Sequence, residues 1–138
     1  MLTISTKSKY GLKAVLALAE NEGQGLLQIR EIARMKNIPR QYLEQIFNQL
    51  GKAQIVRSVR GKNGGYKLAR HAREIFASEI ITLLEGGVEF VSDQEEQDEV
   101  INQFFLTAEE KLLEAFAVSL EELLARQQSR RNVLNFDI

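Results

Sequence analysis

The sequence has no cysteine and no tryptophan, and it contains one proline and one histidine in 138 residues. Without cysteine the chain can form no disulfide, no thiolate metal site and no cysteine nucleophile. The single histidine, His71, cannot assemble an imidazole metal site alone. A phosphate-binding P-loop, a GxGxxG loop after a strand and a histidine-based triad are also missing. We therefore predict that the chain is not an enzyme and binds no metal and no cofactor.

Long apolar runs are missing as well. No stretch approaches the roughly 20 apolar residues that cross a bilayer, and the N-terminal residues lack the apolar segment of a signal peptide. We therefore expect a cytoplasmic protein with no membrane partner. The apolar content of 44% is still sufficient for the core of one domain, or of a small head with a dimerisation element.

Charge is divided unevenly along the chain. Residues 1–73 hold 14 Lys and Arg against 4 Asp and Glu, whereas residues 74–138 hold 4 against 15. The overall net charge of −1 therefore hides a basic half and an acidic half. A basic half is typical of contact with phosphates, and DNA would repel the acidic half. The alternative is that solvated surface charges are unevenly distributed by chance.

Residues 27–70 predict a helix-turn-helix followed by a β-hairpin. A helix from about Gln28 to Lys36 ends at Asn37, which suits the left-handed conformation, and Ile38 can fill the core below the turn. Pro39 suits the start of the next helix, because its missing N–H would be unpaired there. The core spacing i, i+3, i+4 and i+7 in that helix is met by Leu43, Ile46, Phe47 and Leu50.

The outer face of this predicted recognition helix carries side chains that pair with base edges in the major groove. Arg40 could donate to guanine, and Glu44 could accept from a cytosine amine. Gln41 or Gln45 could bridge adenine. Without further signals an ordinary polar helix face explains the pattern equally well.

The hairpin favours DNA binding. Asn63-Gly64 is expected to supply the positive backbone angles of its turn, and Gly61 and Gly65 are expected to let the tip approach another surface closely. A structural hairpin does not need the five cations of this segment, which are Arg57, Arg60, Lys62, Lys67 and Arg70. We expect Arg60 to enter the minor groove, where A·T-rich DNA has its strongest negative potential. Phosphate contacts are expected from Lys62 and Lys67.

The first helix is predicted from residue 6 to residue 21, with Ser5 as its N-cap. Its early lysines oppose the helix dipole, so a bound phosphate would relieve that cost; solvated lysines are the alternative. The predicted DNA-binding residues come from this helix, the recognition helix and the hairpin. They are Thr6, Lys7, Lys9, Tyr10, Arg40, Gln41, Tyr42, Glu44, Gln45, Ser58, Arg60, Gly61, Lys62, Asn63, Gly64, Gly65, Tyr66 and Lys67.

Seven short motifs run through the first 86 residues: Ser5-Thr6-Lys7, Tyr10-Gly11, Glu31-Ile32-Ala33, Tyr42-Leu43-Glu44-Gln45, Val59-Arg60-Gly61, Gly64-Gly65-Tyr66 and Leu84-Glu85-Gly86. In order and spacing they resemble the Rrf-two family of bacterial winged-helix regulators. The resemblance is strong over residues 1–86 and weaker beyond. It implies a homodimer that binds an imperfect palindrome in double-stranded DNA, with Glu44 discriminating bases and Arg60 in the minor groove.

Many members of that family hold an iron-sulfur cluster with three cysteines near the region of residues 89–99 and with a further ligand from another element. This chain has none of the cysteines, and Ser8 and Leu12 of the first helix are unsuited to supply the further ligand. The chain therefore resembles the cluster-free type of the family, which includes a repressor of cysteine metabolism.

A long helix is predicted from about residue 96 to residue 117. It carries more apolar surface than a small head can bury, so we expect its twofold copy as partner. The predicted dimer interface consists of Val100, Ile101, Phe104, Phe105, Ala108, Leu112 and Phe116. The alternative is a purely intramolecular core helix. A final helix is predicted after a capping box formed by Ser119 and Glu122.

The chain ends in Phe136, Asp137 and Ile138. Apolar residues at a C-terminus usually pack back or fray. The family resemblance offers a second hypothesis, because some cluster-free relatives work in partnership with cysteine synthase, an enzyme that recognises peptides ending in isoleucine. The tail is therefore a candidate partner peptide.

Together these observations predict a mainly α fold with a small β-hairpin wing, in which a winged helix-turn-helix is followed by a long C-terminal dimerisation helix. Residues 1–73 form the DNA-binding head, and residues 74–138 form the helical dimerisation and regulatory region. The predicted function is a dimeric transcription regulator, acting as a repressor, that recognises a palindromic operator without an iron-sulfur cluster. The alternative is a winged-helix module that acts through a protein partner such as cysteine synthase.

Overall fold

The computed structural model describes residues 1–136, with side chains to Asn135. Its elements are α1 (Thr6–Glu20), α2 (Ile29–Lys36), α3 (Arg40–Lys52), β1 (Val56–Val59), β2 (Gly65–Leu68), a 3-10 turn (Ala72–Glu74), α4 (Ala77–Glu85), α5 (Val100–Phe116) and α6 (Leu120–Phe136). The predicted fold class, mainly α with a β-hairpin wing, is confirmed. Within the described range no helix is both long and apolar enough to cross a membrane.

Helix α1 begins at its predicted cap. The Ser8 backbone N–H donates to Ser5 Oγ at 3.2 Å, which satisfies one of the N–H groups that a helix start leaves unpaired. Farther along, Ala14 and Val15 are fully buried and Leu18 is nearly so. This apolar stripe makes α1 the central element against which the other helices pack.

The turn between α2 and α3 follows the sequence prediction closely. Asn37 adopts the left-handed conformation with φ 54°, and Ile38 is buried beneath it. The next helix starts one residue later than expected, because Pro39 is its N-cap and Arg40 its first residue. The four residues at core spacing are all buried: Leu43, Ile46, Phe47 and Leu50. The helix-turn-helix is thus held by a continuous core on one face of α3.

The hairpin is antiparallel, with Val56 opposite Leu68 and Val59 opposite Gly65. A third segment joins it, because Leu27 and Tyr66 exchange backbone hydrogen bonds of 3.1 and 2.7 Å. This isolated bridge lies directly before α2. It fixes the base of the wing to the chain that leads into the helix-turn-helix.

The hairpin turn differs from the prediction. The positive backbone angle belongs to Gly61, with φ 127°, and not to Asn63 or Gly64. Gly64 is required for a different reason, since a Cβ there would lie 2.3 Å from the Val59 carbonyl oxygen. Gly65 likewise faces the chain's own backbone, because a Cβ there would lie 2.7 Å from the Leu27 carbonyl oxygen. The structural requirement for glycine at this position therefore comes from the chain itself.

The C-terminal half is joined to the core of the head. Helix α4 starts at Ala77, because Phe76 is extended and forms a β-bridge with Ser119. That bridge places Leu120, the first residue of α6, in the core with no exposed surface. Farther along α6, Arg131 Nη1 donates to Glu20 Oε1 on α1 at 3.0 Å. The last helix therefore lies along α1. The proposed boundary at residue 73 separates a basic half from an acidic half, but residues on both sides of it pack in one core.

Two apolar residues near the end of α6 are exposed. Helix α6 continues to Phe136, and Val133 and Leu134 are 60% and 58% exposed on it. Of the two expected outcomes, packing back and fraying, packing back is therefore wrong for these two.

Candidate nucleic-acid interface

The outer face of α3 carries four of the predicted base-contacting side chains. Arg40, Gln41, Glu44 and Gln45 are all exposed. Arg40 Nε lies 3.3 Å from Glu44 Oε1, so these two form an ion pair across one helical turn. The opposite face of α3 is filled by core side chains, which leaves the polar face outward. The four side chains are available to an external partner.

Two predicted DNA-contacting tyrosines make a structural contact. The rings of Tyr10 and Tyr42 meet edge to face, with centroids 5.5 Å apart and planes at 87°. Both residues are half-buried and pack against the core. They join the N-terminal part of α1 to the first turn of α3. Thr6 and Lys9 of α1 are exposed, and Lys7 is half-buried.

The wing presents most of its predicted residues to solvent. Its exposed members are Ser58, Arg60, Gly61, Lys62, Asn63 and Lys67. Tyr66 is half-buried instead, with its ring centroid 4.8 Å from that of Phe47 on α3. Gly64 and Gly65 are half-buried against the chain's own backbone. The structure thus separates exposed tip residues from three residues that hold the wing in place.

One of the five hairpin cations is bound by the C-terminal half. Arg70 Nη2 lies 2.8 Å from Glu79 Oε1, and Arg70 Nη1 donates to the Glu74 carbonyl oxygen at 3.0 Å. Arg57 remains exposed. The hairpin sequence alone could not show that Arg70 binds within the chain while Arg57 stays exposed, because the partner of Arg70 is contributed by α4.

A shallow groove of about 360 Å³ brings several predicted residues together. It lies between the start of α2, the outer face of α3 and the start of β2, and its lining consists of Gln28, Ile29, Arg30, Arg40, Glu44, Gly65 and Tyr66. Sequence reasoning missed Gln28 and Arg30. The signal that could have found them is their position at the start of the helix that precedes a recognition helix, Gln28 as its N-cap and Arg30 in its first turn.

A larger groove of about 650 Å³ separates the C-terminal half of α3 from the hairpin. Its charged lining residues are Lys52, Arg57 and Arg70, and no acidic side chain of the described residues lines it. Asn48 and Lys52 follow Gln41 at i+7 and i+11, so they continue the outer face of the recognition helix. The electropositive surface therefore extends from α3 to the wing.

A carboxylate from α4 holds the start of α1. The Ser5 backbone N–H donates to Glu85 Oε1 at 2.7 Å. This hydrogen bond lowers the pKa of Glu85, while partial burial opposes the shift and the Ser5 and Ser8 hydroxyls add to it. The contact positions the first turn of α1, which carries several of the predicted phosphate contacts.

The predicted dimer residues occupy a helix that buries none of its 17 residues within the chain. Four are strongly exposed: Val100 (74%), Ile101 (56%), Phe104 (66%) and Phe105 (43%). The other three, Ala108, Leu112 and Phe116, are half-buried. A groove of about 480 Å³ along α5 is lined by Val100, Gln103, Phe104, Thr107, Ala108 and Lys111. The prediction selected only apolar residues of this helix. It therefore omitted three polar residues that lie beside the apolar stripe, Gln103, Thr107 and Lys111.

A helix-turn-helix followed by a basic hairpin, both exposed on one half of the chain, is the architecture of a winged-helix DNA-binding protein. The fold is therefore that of a DNA-binding transcriptional regulator. The Rrf2 family model, described as an iron-dependent transcriptional regulator, matches residues 4–128. The chain belongs to this family, and the resemblance to the Rrf-two regulators is confirmed.

Individual relatives agree with this assignment. The chain is 31% identical over 138 residues to the HTH-type transcriptional regulator CymR of Bacillus subtilis, which covers 99% of this chain and all of that protein. It is 43% identical over 89 residues to the regulator IscR of Cereibacter sphaeroides. This alignment covers 63% of the present chain and 57% of IscR. The solved structure of CymR, the global cysteine regulator of B. subtilis, superposes with a TM-score of 0.80 at 34% identity, covering 91% of this chain and 98% of CymR.

The iron dependence in the family description can be tested against the residues of this chain. Iron-sulfur clusters are held chiefly by cysteine thiolates, and the sequence has no cysteine. No group of three His, Asp or Glu residues within the described part of the chain could hold a metal ion. Ser8 is fully buried and accepts from Ser5 Oγ at 3.3 Å, and Leu12 packs against the core. These residues do not fit an iron-sulfur cluster.

The candidate partner peptide falls largely outside the described residues. Phe136 is the last residue of α6, whereas Asp137 and Ile138 lie beyond the part of the chain that the structure describes.

Proposed function

We propose that this chain is a homodimeric transcription repressor that recognises a palindromic operator without an iron-sulfur cluster. The observation that carries the proposal is the exposure of the α3 outer face and the wing tip on the same basic half of the chain. Major-groove contacts come from α3 and minor-groove contacts from Arg60. Residues 1–73 act as the DNA-binding head, and residues 74–138 as the dimerisation and regulatory region.

The exposed apolar face of α5 supports the dimer. Contiguous apolar surface of this kind is unusual on a monomer, and it marks an interface. A closed twofold pair would cover the Phe104 side chains of both copies at once. Two heads related by a twofold axis would then meet two half-sites of inverted sequence, about one helical turn or a multiple of it apart.

The likeness to CymR suggests which genes the regulator serves. CymR is named as the global cysteine regulator of B. subtilis, and it matches this chain over nearly its whole length. We extend this to the proposal that the operators of the present chain lie beside genes of cysteine metabolism. Selecting bound fragments from the host genome tests this, and fragments lacking any such neighbouring gene would refute it.

The salt dependence of DNA binding distinguishes this function from a protein-interaction module. Binding through several phosphates should weaken steeply with salt, with a slope of about −0.9 per phosphate in a plot of log affinity against log salt. Fluorescence anisotropy with a labelled operator duplex measures this slope. Lys67→Ala should lower affinity evenly across sequences and reduce the slope by about 1. Affinity that is insensitive to salt would refute direct DNA binding.

Arg126→Ala is the matched control for Lys67→Ala. Arg126 is also an exposed cation, but it lies on α6 in the acidic half and pairs with Glu122 at 3.3 Å. Its removal should leave the slope unchanged. An equal change of slope in both variants would mean that net charge, and not the basic front, determines the result.

The C-terminal tail carries a second proposal, that it binds cysteine synthase. In its support, Val133 and Leu134 are exposed on α6 just before the terminal residues, so α6 extends an uncovered apolar surface toward the chain end. Deleting residues 136–138 should abolish binding to cysteine synthase in a titration and leave operator affinity unchanged. Unchanged binding to the enzyme would refute the proposal.

A further inference from the structure

The Arg40–Glu44 ion pair lies at the N-terminal end of the exposed α3 face. The two side chains are 64% and 51% exposed, and both line the groove shared by α2, α3 and β2. Among the described residues, Glu44 is the one acidic side chain in that lining, beside the two cations Arg30 and Arg40. An unaccompanied carboxylate in such a groove would be repelled by DNA phosphates, so the nearby guanidinium matters for any DNA contact.

Helix stability does not explain this pair. Arg40 is the first residue of α3, whose first turn has no acidic side chain, and a cation there opposes the helix dipole. The order is also the weaker one, since an acidic residue four positions before a basic one stabilises a helix better than the reverse. Exposed ion pairs contribute little to folding in any case. The arrangement is therefore better explained by what the surface binds.

The geometry of the pair leaves the end of the guanidinium uncommitted. The contact to Glu44 Oε1 is made by Arg40 Nε. An arginine has five N–H donors in a planar fork, so the two terminal nitrogens can still donate to an acceptor pair. Guanine offers such a pair at N7 and O6 in the major groove, and its partner cytosine offers an N4 amine to a carboxylate.

We propose that Arg40 and Glu44 act as one unit that recognises a single G·C base pair in each half-site. Arg40 donates to N7 and O6 of the guanine, and Glu44 accepts from N4 of the cytosine. The ion pair keeps the carboxylate beside the guanidinium and compensates its charge near the phosphates. Arg40 is thereby both a base contact and the residue that positions Glu44. This inference rests on the proposed DNA binding.

Base analogues test the unit at the level of single atoms. A duplex selected with the wild-type dimer is remade with 7-deazaguanine, which lacks the N7 acceptor, at one guanine at a time. We expect one position per half-site at which this change weakens wild-type binding by roughly 5- to 10-fold, the low end of the range for a bidentate base contact, because the O6 acceptor remains. At that position Arg40→Ala should bind both duplexes equally.

Glu44→Gln should relax the preference at the same base pair, and the double variant should relax it no further than either single one. Arg40→Lys keeps the charge but lacks the fork, so it should recover affinity while discriminating less. Arg34→Ala is the control, because Arg34 is an exposed cation of α2 outside this groove, and it should leave base preference intact. Circular dichroism verifies that each variant is folded.

Two outcomes would overturn the unit while DNA binding itself stands. One is that Arg40→Ala and Glu44→Gln alter preference at different base pairs. The other is that the 7-deazaguanine penalty persists in Arg40→Ala. Failure of the wild-type protein to bind any duplex would instead refute the proposed function, so the two failures are distinguishable.

Discussion

Replacing Phe104 with alanine removes the large side chain at the middle of the exposed α5 stripe. Phe104 is 66% exposed in the single chain, and its ring lies edge to face with that of Phe105, with centroids 5.4 Å apart. If a twofold copy covers this face, each Phe104 loses its contact with water. The substitution therefore weakens the dimer and leaves the core of the head unchanged.

The expected size follows from the exposed area. A covered phenylalanine buries at least about 150 Å², so the exposed two-thirds corresponds to about 100 Å². At about 25 cal/mol per Å² this area contributes about 2.5 kcal/mol for each copy. Because both copies of the dimer bury a Phe104, the total contribution is twice this value. Alanine retains a methyl group, so we expect the dissociation constant of the dimer to rise at least about 100-fold, which corresponds to about 2.7 kcal/mol.

Sedimentation equilibrium of the wild type and of Phe104→Ala measures the dissociation constant directly. Met35→Ala is the control, because Met35 is a large apolar residue of α2 that is 53% exposed and lies outside α5. It should leave the constant unchanged. A wild-type chain that remains monomeric at all accessible concentrations, or a Phe104→Ala dimer as tight as the wild type, would refute the assignment of α5 as the interface.

Three further predictions concern the wing, its base and the start of α1. Arg60→Ala should lower affinity for duplexes with A·T-rich DNA under the wing by about 1 to 3 kcal/mol more than for G·C-rich ones, as measured by competition binding; equal losses would exclude minor-groove insertion. Gly65→Ala should destabilise the fold by about 1 to 3 kcal/mol in urea unfolding, because its Cβ would meet a backbone carbonyl at 2.7 Å. By contrast Gly51→Ala, with nothing within 4 Å, should stabilise α3 by up to about 1 kcal/mol. Finally, the Ser5 backbone N–H lowers the pKa of Glu85 in the folded state. The ionised carboxylate therefore stabilises the fold at pH values above the ordinary pKa of 4.5, and this stabilisation is lost as the pH falls through the lowered pKa. Thermal unfolding from pH 7 to pH 3 should show Glu85→Gln less stable than wild type at pH 7, with the difference shrinking toward the acid end; a constant difference would contradict this.

Local patterns predicted the helix-turn-helix well. Asn37 and Ile38 have their expected conformation and burial, because a helix end is determined by residues within one turn of it. The apolar spacing of α3 likewise determined which face is buried and which is exposed. The outward position of Arg40 and Glu44 follows from that same periodicity.

Contacts between distant segments were not predictable in this way. Gly65 is required by the chain before α2, and Arg70 is bound by Glu79 on α4, so neither role is visible in the hairpin sequence itself. Leu120 begins a helix that the sequence placed in the regulatory region, yet it is fully buried in the core of the head. In each case the partner belongs to another element of the chain. Local composition and residue spacing do not show which elements pack together.

The backbone bridge between Leu27 and Tyr66, together with the close approach at Gly65, ties the base of the hairpin to the chain before α2. The Tyr66 ring also packs on Phe47 of α3, so the base of the hairpin is joined to the recognition helix as well. If α3 and the hairpin both contact DNA as proposed, this packing sets the number of base pairs between the two contacted segments. Inserting one base pair between those segments should cost far more affinity than changing the bases that separate them.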